Sequence, residues 1–300
     1  MNTLSEALGI TCSADIGLMS ISYTCFDGES SFSHALSLTT TGVNTSRLNR
    51  LEHFVSDFPA EGIHMSGEAL HSQLDEIERI HGLYSPAALG LASALACGAF
   101  TFLLGGGPLE MILAFAGAGI GNAIRCKLGK HHFTLFMCIA VSVSSACLVY
   151  AGFLKLAELL FHISVQHEAG YICSMLFIIP GFPFITSGID LAKLDMRSGL
   201  ERLAYAIIVV MVAAVSAWLM ALLLHLKPVD FLPLELSAAQ RILFRLLASF
   251  CGVFGFSVMF NSPVRLAAAA ASSAHCPTLY VWSLLILPVS HLLPRLFSEH

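Results

Sequence analysis

Five stretches of the sequence carry apolar side chains almost without interruption: residues 87–104, 109–123, 133–154, 170–188 and 203–226. About 20 apolar residues are needed to cross the hydrocarbon core of a bilayer as a helix. Stretches near this length, repeated five times, make a chain that passes its backbone through lipid. The second is short and extends back toward the Gly105-Gly106-Gly107 turn. A sixth stretch, 238–260, begins with Arg241 and Arg245 in its first turns. A seventh, near 278–297, is interrupted by Pro288 and Pro294.

Composition agrees. Hydrophobic residues make up 56% of the 300-residue chain, and charged residues only 12%. A soluble domain carries about 25% charged residues, so this chain has too few to solvate a globular surface. A soluble single-domain enzyme, a disordered chain and a nucleic-acid binder are excluded together. The charges are also segregated. Residues 1–86 hold Arg47, Arg50 and Arg79 against eleven acidic side chains, whereas the rest of the chain is net basic. The expected fold is a multi-span α-helical membrane protein with a small N-terminal α+β cytoplasmic domain. The expected divisions are 1–86 for that acidic domain, 87–228 for a five-span membrane domain and 229–300 for a partial second membrane unit. No basic, apolar and cleavage-site succession marks a signal peptide at the start, so the N-terminus is expected to remain unexported.

In the acidic domain, residues 19–26 alternate as a strand. Asp27-Gly28 is a turn signal, and Phe32, His34, Leu36 and Leu38 outline a second strand. Such a hairpin needs a helix over one face. One helix begins near Asn44 or Thr45, with Leu48, Leu51, Val55 and Phe58 in a stripe. Another begins at Ser66, a good N-cap, with Leu70, Leu74, Ile77 and Ile80 in a stripe. Asp75, Glu76 and Glu78 form either a solvated face or a docking surface. His53, His64, His71 and His81 are too loosely spaced for a metal site. The nine cysteines include no C-x-x-C pair, so no metal and no cofactor is expected.

Basic side chains orient the spans. Arg125, Lys127 and Lys130 follow the second stretch, and Lys193, Arg197 and Arg202 follow the fourth. The other inter-span loops hold only Lys155 and Lys227. The positive-inside rule then places the N-terminal domain in the cytoplasm and the chain in the cell (inner) membrane. Arg265 agrees, whereas Arg241 and Arg245 run against it. Small residues at intervals of four (Gly90, Ala94, Gly98; Gly117, Gly121) mark either a packing seam or a lined substrate cavity.

The fourth stretch contains Ile179-Pro180-Gly181-Phe182-Pro183-Phe184. Two prolines this close disturb a regular helix. The break reads either as a kink that shapes packing or as the broken span of a transporter binding site. Asp190, seven residues on, is either a functional carboxylate or an interfacial one paired with Lys193 or Arg202. An intramembrane hydrolase is disfavoured. Glu110 is the only acidic residue inside the five stretches, and no Gly-x-Ser-x-Gly or His-Glu-x-x-His occurs. The chain is not expected to be an enzyme.

Pro180-Gly181-Phe182-Pro183, Gly188, Asp190-Leu191, Asp195, Gly199 and Arg202 together resemble the fourth-span signature of the threonine/serine exporter family. Residues 42–51, Glu68-Ala69 with Leu74-Asp75-Glu76-Ile77, and Leu103-Leu104-Gly105-Gly106 are similar to further pieces of that family, in order, over about residues 15–225. Gly255-Phe256, Phe260-Asn261, Pro263 and Arg265 are similar to a stretch of its second half. The resemblance implies proton-driven export of a small hydroxy amino acid, with Pro180, Gly181, Pro183, Asp190, Asp195 and Arg202 on the substrate or ion pathway. Some relatives are split into two chains, and one such pair is associated with dicarboxylate export. The second half is expected to be shortened here. The alternatives are therefore a subunit of a split exporter and a non-transporting relative. Expected partners are membrane lipid, a small amino acid or organic acid, and a second membrane subunit or a second copy of the chain, with no nucleic acid.

Overall fold

A computed structural model describes residues 2–38, 42–162, 167–227, 231–232 and 234–274. It is mostly helical, with one small sheet, and falls into two compact units. The first combines the described parts of Met1–Leu83, Ile178–Val212 and Phe260–Pro263. The second combines those of Tyr84–Phe177, Ala213–Met259 and Val264–His300.

In the first unit, helix α1 (Asn2–Leu8) precedes strands β1 (Thr11–Ile16), β2 (Ser20–Phe26) and β3 (Ser31–Ser37). They form an antiparallel sheet in the order β1-β2-β3. Strands β2 and β3 are the expected hairpin. At its turn the Asp27 carboxylate accepts the Glu29 and Ser30 amides, at 2.9 and 2.7 Å. These bonds hold its carboxyl well below the usual range, at about 2. Strand β1 was not expected, although Cys12, Ala14 and Ile16 alternate with the polar Thr11, Ser13 and Asp15. It follows the free edge of β2, pairing Cys12 with Cys25 and Ile16 with Ile21. The expected helical cover is also absent among the described residues: no strand residue is buried.

Helix α2 (Thr45–Asp57) is capped by Asn44, whose side-chain oxygen accepts the Arg47 amide. Helix α3 (Gly67–Glu78) is capped by Ser66, as expected. The Arg47 guanidinium donates to the carbonyls of Glu78 and Ile80, at 2.7 and 3.1 Å. It thereby places a cation at the negative end of α3. The α2 stripe is buried less than its periodicity implied. Leu48 and Leu51 remain exposed, and Phe58 is the buried member.

The second unit contains α4 (Pro86–Leu103), α5 (Pro108–Lys130), α6 (Leu135–Phe161), α9 (Ala238–Met259) and α10 (Val264–Ser273). It also holds the end of α8 (Met196–Leu224), which begins in the first unit. Helices α4, α5, α6, α8 and α9 are long and apolar enough to cross a membrane. They correspond to the first, second, third, fifth and sixth expected spans. The fourth is not one helix. It consists of 3-10 turns at Glu168–Tyr171 and Cys173–Ile178, then α7 (Gly181–Ala192), bent at the break between them. The second span is longer than expected: Arg125, Lys127 and Lys130 sit on the last turns of α5, not in a loop. Arg197 and Arg202 likewise lie on α8. The expected stretch 278–297 lies outside the described residues.

Small residues let these backbones approach. A Cβ added at Gly90 would stand 2.9 Å from the Gly119 carbonyl. One at Gly121 would meet both Ala146 Cβ and the Ser142 carbonyl at 2.9 Å. One at Gly255 would lie 2.5 Å from the Ala92 carbonyl. The small-residue runs are therefore packing seams. Gly152, also on α6, has nothing within 4 Å of the corresponding position. Gly121→Leu is expected to lower stability by about 1–3 kcal/mol through overpacking. Gly152→Ala should leave it unchanged or raise it by up to about 1 kcal/mol through helix propensity. Thermal unfolding of the two purified variants in the same detergent checks the contrast.

Candidate functional site

The sequence-predicted residues fall at the two ends of α7. At its start, Pro180 occupies the N-cap position and Pro183 lies in the first turn. The first amides of a helix have no intrahelical acceptor, so Pro183 removes no helical hydrogen bond there. The first closing bond runs from the Phe184 amide to the Pro180 carbonyl, at 3.2 Å. The proline pair therefore begins a helix, instead of kinking one. Gly181 has open space around its missing side chain. The Phe182 ring lies 5.8 Å from that of Phe260, centroid to centroid.

Asp190, Asp195 and Arg202 cluster about 10 Å further on, seven residues beyond Pro183 at 1.5 Å per residue. The Asp190 Oδ2 atom accepts from the Ser198 hydroxyl at 2.8 Å and from the Arg202 Nη1 group at 3.3 Å. Of the two readings of Asp190, the paired one describes its geometry, and the partner is Arg202. Asp195 begins α8. Its carboxylate accepts the Ser198 amide, and its own amide donates to the Asp190 carbonyl at 2.9 Å. With the bond from the Leu194 amide to the Leu191 carbonyl, at 3.0 Å, this closes a Schellman turn at the end of α7. Leu194 stands in the left-handed region, at φ 63°, where glycine is usual. Gly199 lets α8 come close, since a Cβ there would lie 2.7 Å from Leu191 Cγ.

The same segment anchors the sheet. The Glu201 carboxylate accepts the Leu18 amide at 2.6 Å, and Arg197 pairs with both Asp15 and Glu201. Pattern reading missed this set, because Asp15 and Arg197 are separated by 182 residues and neither belongs to a local motif.

A second cluster, in the other unit, was passed over. Glu110, in the first turn of α5, is 1% exposed. Its Oε1 lies 2.7 Å from Nδ1 of His167, whose side chain is 14% exposed. Its Oε2 has no hydrogen-bond partner among the described residues. The buried Tyr150 hydroxyl donates to the His167 carbonyl at 2.6 Å. The available signal was that Glu110 is the single carboxylate within the apolar stretches. Its imidazole partner, 57 residues away, carried no sequence signal. Among the described residues, no group of three or more His, Cys, Asp or Glu could hold a metal ion.

The Asp190–Arg202 pair makes a quantitative expectation possible, since both side chains are partly shielded, at 20% and 29% exposed. Arg202→Met is expected to destabilise the protein, and adding Asp190→Asn should recover part of the loss. A double-mutant cycle on unfolding free energy should return a coupling of about 1 kcal/mol. A coupling of zero would show that the contact contributes nothing to stability.

No curated protein and no solved structure matches the chain. One protein family does, over residues 1–225, which include the sheet, α2 to α7 and all of α8. That stretch is three quarters of the chain and contains every residue of both clusters. The chain belongs to the threonine/serine exporter (ThrE) family.

Proposed function

We propose that this protein is a secondary transporter that exports a small hydroxy amino acid, threonine or serine, from the cytoplasm across the cell (inner) membrane, in exchange for protons. The observation that carries the reading is the family match over residues 1–225, together with the membrane-length helices inside it. The bent pair Glu168–Ile178 and Gly181–Ala192 supports it. Irregular backbone in an apolar segment is tolerated where protein or an aqueous cavity satisfies its polar groups. Pro180, Gly181 and Pro183 at the start of α7 then belong to the substrate path. Asp190, Asp195 and Arg202, at the end that leads into α8, form an ion-paired closure of it. The basic residues at the end of α5 and the start of α8 favour a cytoplasmic N-terminal domain.

The expected outcome in liposomes containing the purified chain alone is threonine and serine efflux that rises with an opposing proton gradient. A panel that includes alanine and dicarboxylates sets the substrate class. Efflux that appears only when a second membrane protein is added would replace this reading with that of a split exporter. Absence of efflux of every compound in both preparations would refute transport. Asp190→Asn, which leaves Arg202 unneutralised, is expected to reduce efflux while the protein still enters the membrane.

A further inference from the structure

Among the described residues, the carboxylates of Asp190 and Glu110 are shielded to different degrees. Asp190 is 20% exposed, and its Oδ2 atom accepts from a guanidinium and a hydroxyl. Glu110 is more deeply buried, yet one of its two oxygens has no partner among the described residues. An ionised carboxylate without a partner is disfavoured in such surroundings unless a proton or a nearby cation compensates it. Among the described residues, the cation within reach of its other oxygen is the His167 imidazole, which is charged only when it has taken up a proton.

We propose that the Glu110–His167 pair is the proton-binding site of the transporter, an inference that rests on the export reading above. The pair takes up one proton and later gives the same proton back. Without it, the pair is an ionised Glu110 beside a neutral imidazole and bears one negative charge. With it, the pair is neutral overall, as carboxylate with imidazolium or as carboxylic acid with imidazole. The two loaded forms differ only in the position of the proton along the 2.7 Å contact.

The surroundings suit this exchange. His167 is partly exposed and Glu110 is not, so a proton arriving from water meets the imidazole first. The Tyr150 hydroxyl, donating to the His167 carbonyl, fixes the backbone from which the ring projects. Gly107 leaves room for the unpartnered oxygen, since a Cβ there would stand 2.8 Å from Oε2. The other titratable groups near the carboxylate are Tyr150 from α6 and Cys173 from the 3-10 segment, a phenol and a thiol that carry no fixed charge. Among the described residues, no lysine or arginine forms an ion pair with Glu110 that would hold it permanently ionised.

The test has one arm that needs no transport. Infrared difference spectra of the full-length protein in detergent, recorded between acidic and alkaline pH, should contain a carboxylic-acid band that disappears in Glu110→Gln and shifts in His167→Asn. Should Glu110→Gln fail to give a folded protein, Glu110→Asp takes its place, and its band should move instead of vanishing. A band unaltered by every Glu110 variant overturns the proposal. The second arm uses liposomes. Glu110→Gln should lose efflux driven by a proton gradient and retain gradient-independent exchange of labelled for unlabelled threonine. Gradient-driven efflux undiminished in Glu110→Gln also overturns the proposal, while leaving the export reading intact. A Glu110 band in a wild-type protein that moves no substrate refutes the export reading and leaves the proton site standing.

Discussion

Helix backbones in the second unit approach until no side chain fits between them, and much else follows from that approach. Among apolar helices in lipid there is little hydrophobic gain from association, so contact has to come from van der Waals packing and from hydrogen bonds that cross the seam. Glycine at 90, 117, 121 and 255 supplies the first. Ser93 supplies the second, reaching from α4 to the Ala118 carbonyl on α5 at 3.1 Å, and so does Asn122, which returns from α5 to the Leu89 carbonyl at 2.9 Å. Glu110, in the first turn of α5, lies buried on this helix, whereas Ile112 in the same turn is exposed.

The two units answer the problem of charge in opposite ways. In the first, charged groups near the α7–α8 corner pair with opposite charges: Asp190 with Arg202, Asp15 and Glu201 with Arg197. Such pairs are stable as they stand and change little with moderate pH, because arginine never releases its proton. In the second unit the partner is a histidine, whose charge exists only on condition of protonation. An arginine in place of His167 would make the site a fixed ion pair. An imidazole can carry its charge conditionally, which is why the proposed proton site is placed there.

How much of this was legible in the sequence depended on whether the cause was local. The membrane-length helices could be read because apolar length is a local property, and Ser66 and Asn44 because capping acts within three residues. The proline pair was located correctly, but its meaning changed. Pro180 and Pro183 occupy positions where a helix start needs no amide, so they open α7 with little cost. Strand β1 was missed although Cys12, Ala14 and Ile16 alternate with polar residues, because the small Cys and Ala side chains make that alternation weak and the strand completes only by pairing with the edge of β2. The Glu201 and Arg197 contacts to the β1–β2 turn, and the 57-residue step from Glu110 to His167, depend on chain reversals that no local pattern encodes.

The interleaving of the first unit bears on what the N-terminal sheet is for. If residues 1–83 were an independent soluble domain, their polar groups would be satisfied among themselves. Instead the Leu18 amide is accepted by Glu201. The Leu83 amide is accepted by the Asn261 side chain, and that same side chain donates to Asn44 at 2.8 Å. Thr45 bonds to the Phe260 carbonyl and to Ser262. Asn44 is also the cap of α2, so one side chain both starts that helix and ties it to a segment more than two hundred residues later. Three distant parts of the chain therefore stabilise one another, and the α7–α8 corner is one of them. That corner holds the β1–β2 turn through Glu201 and Arg197, two contacts made by consecutive turns of the same helix.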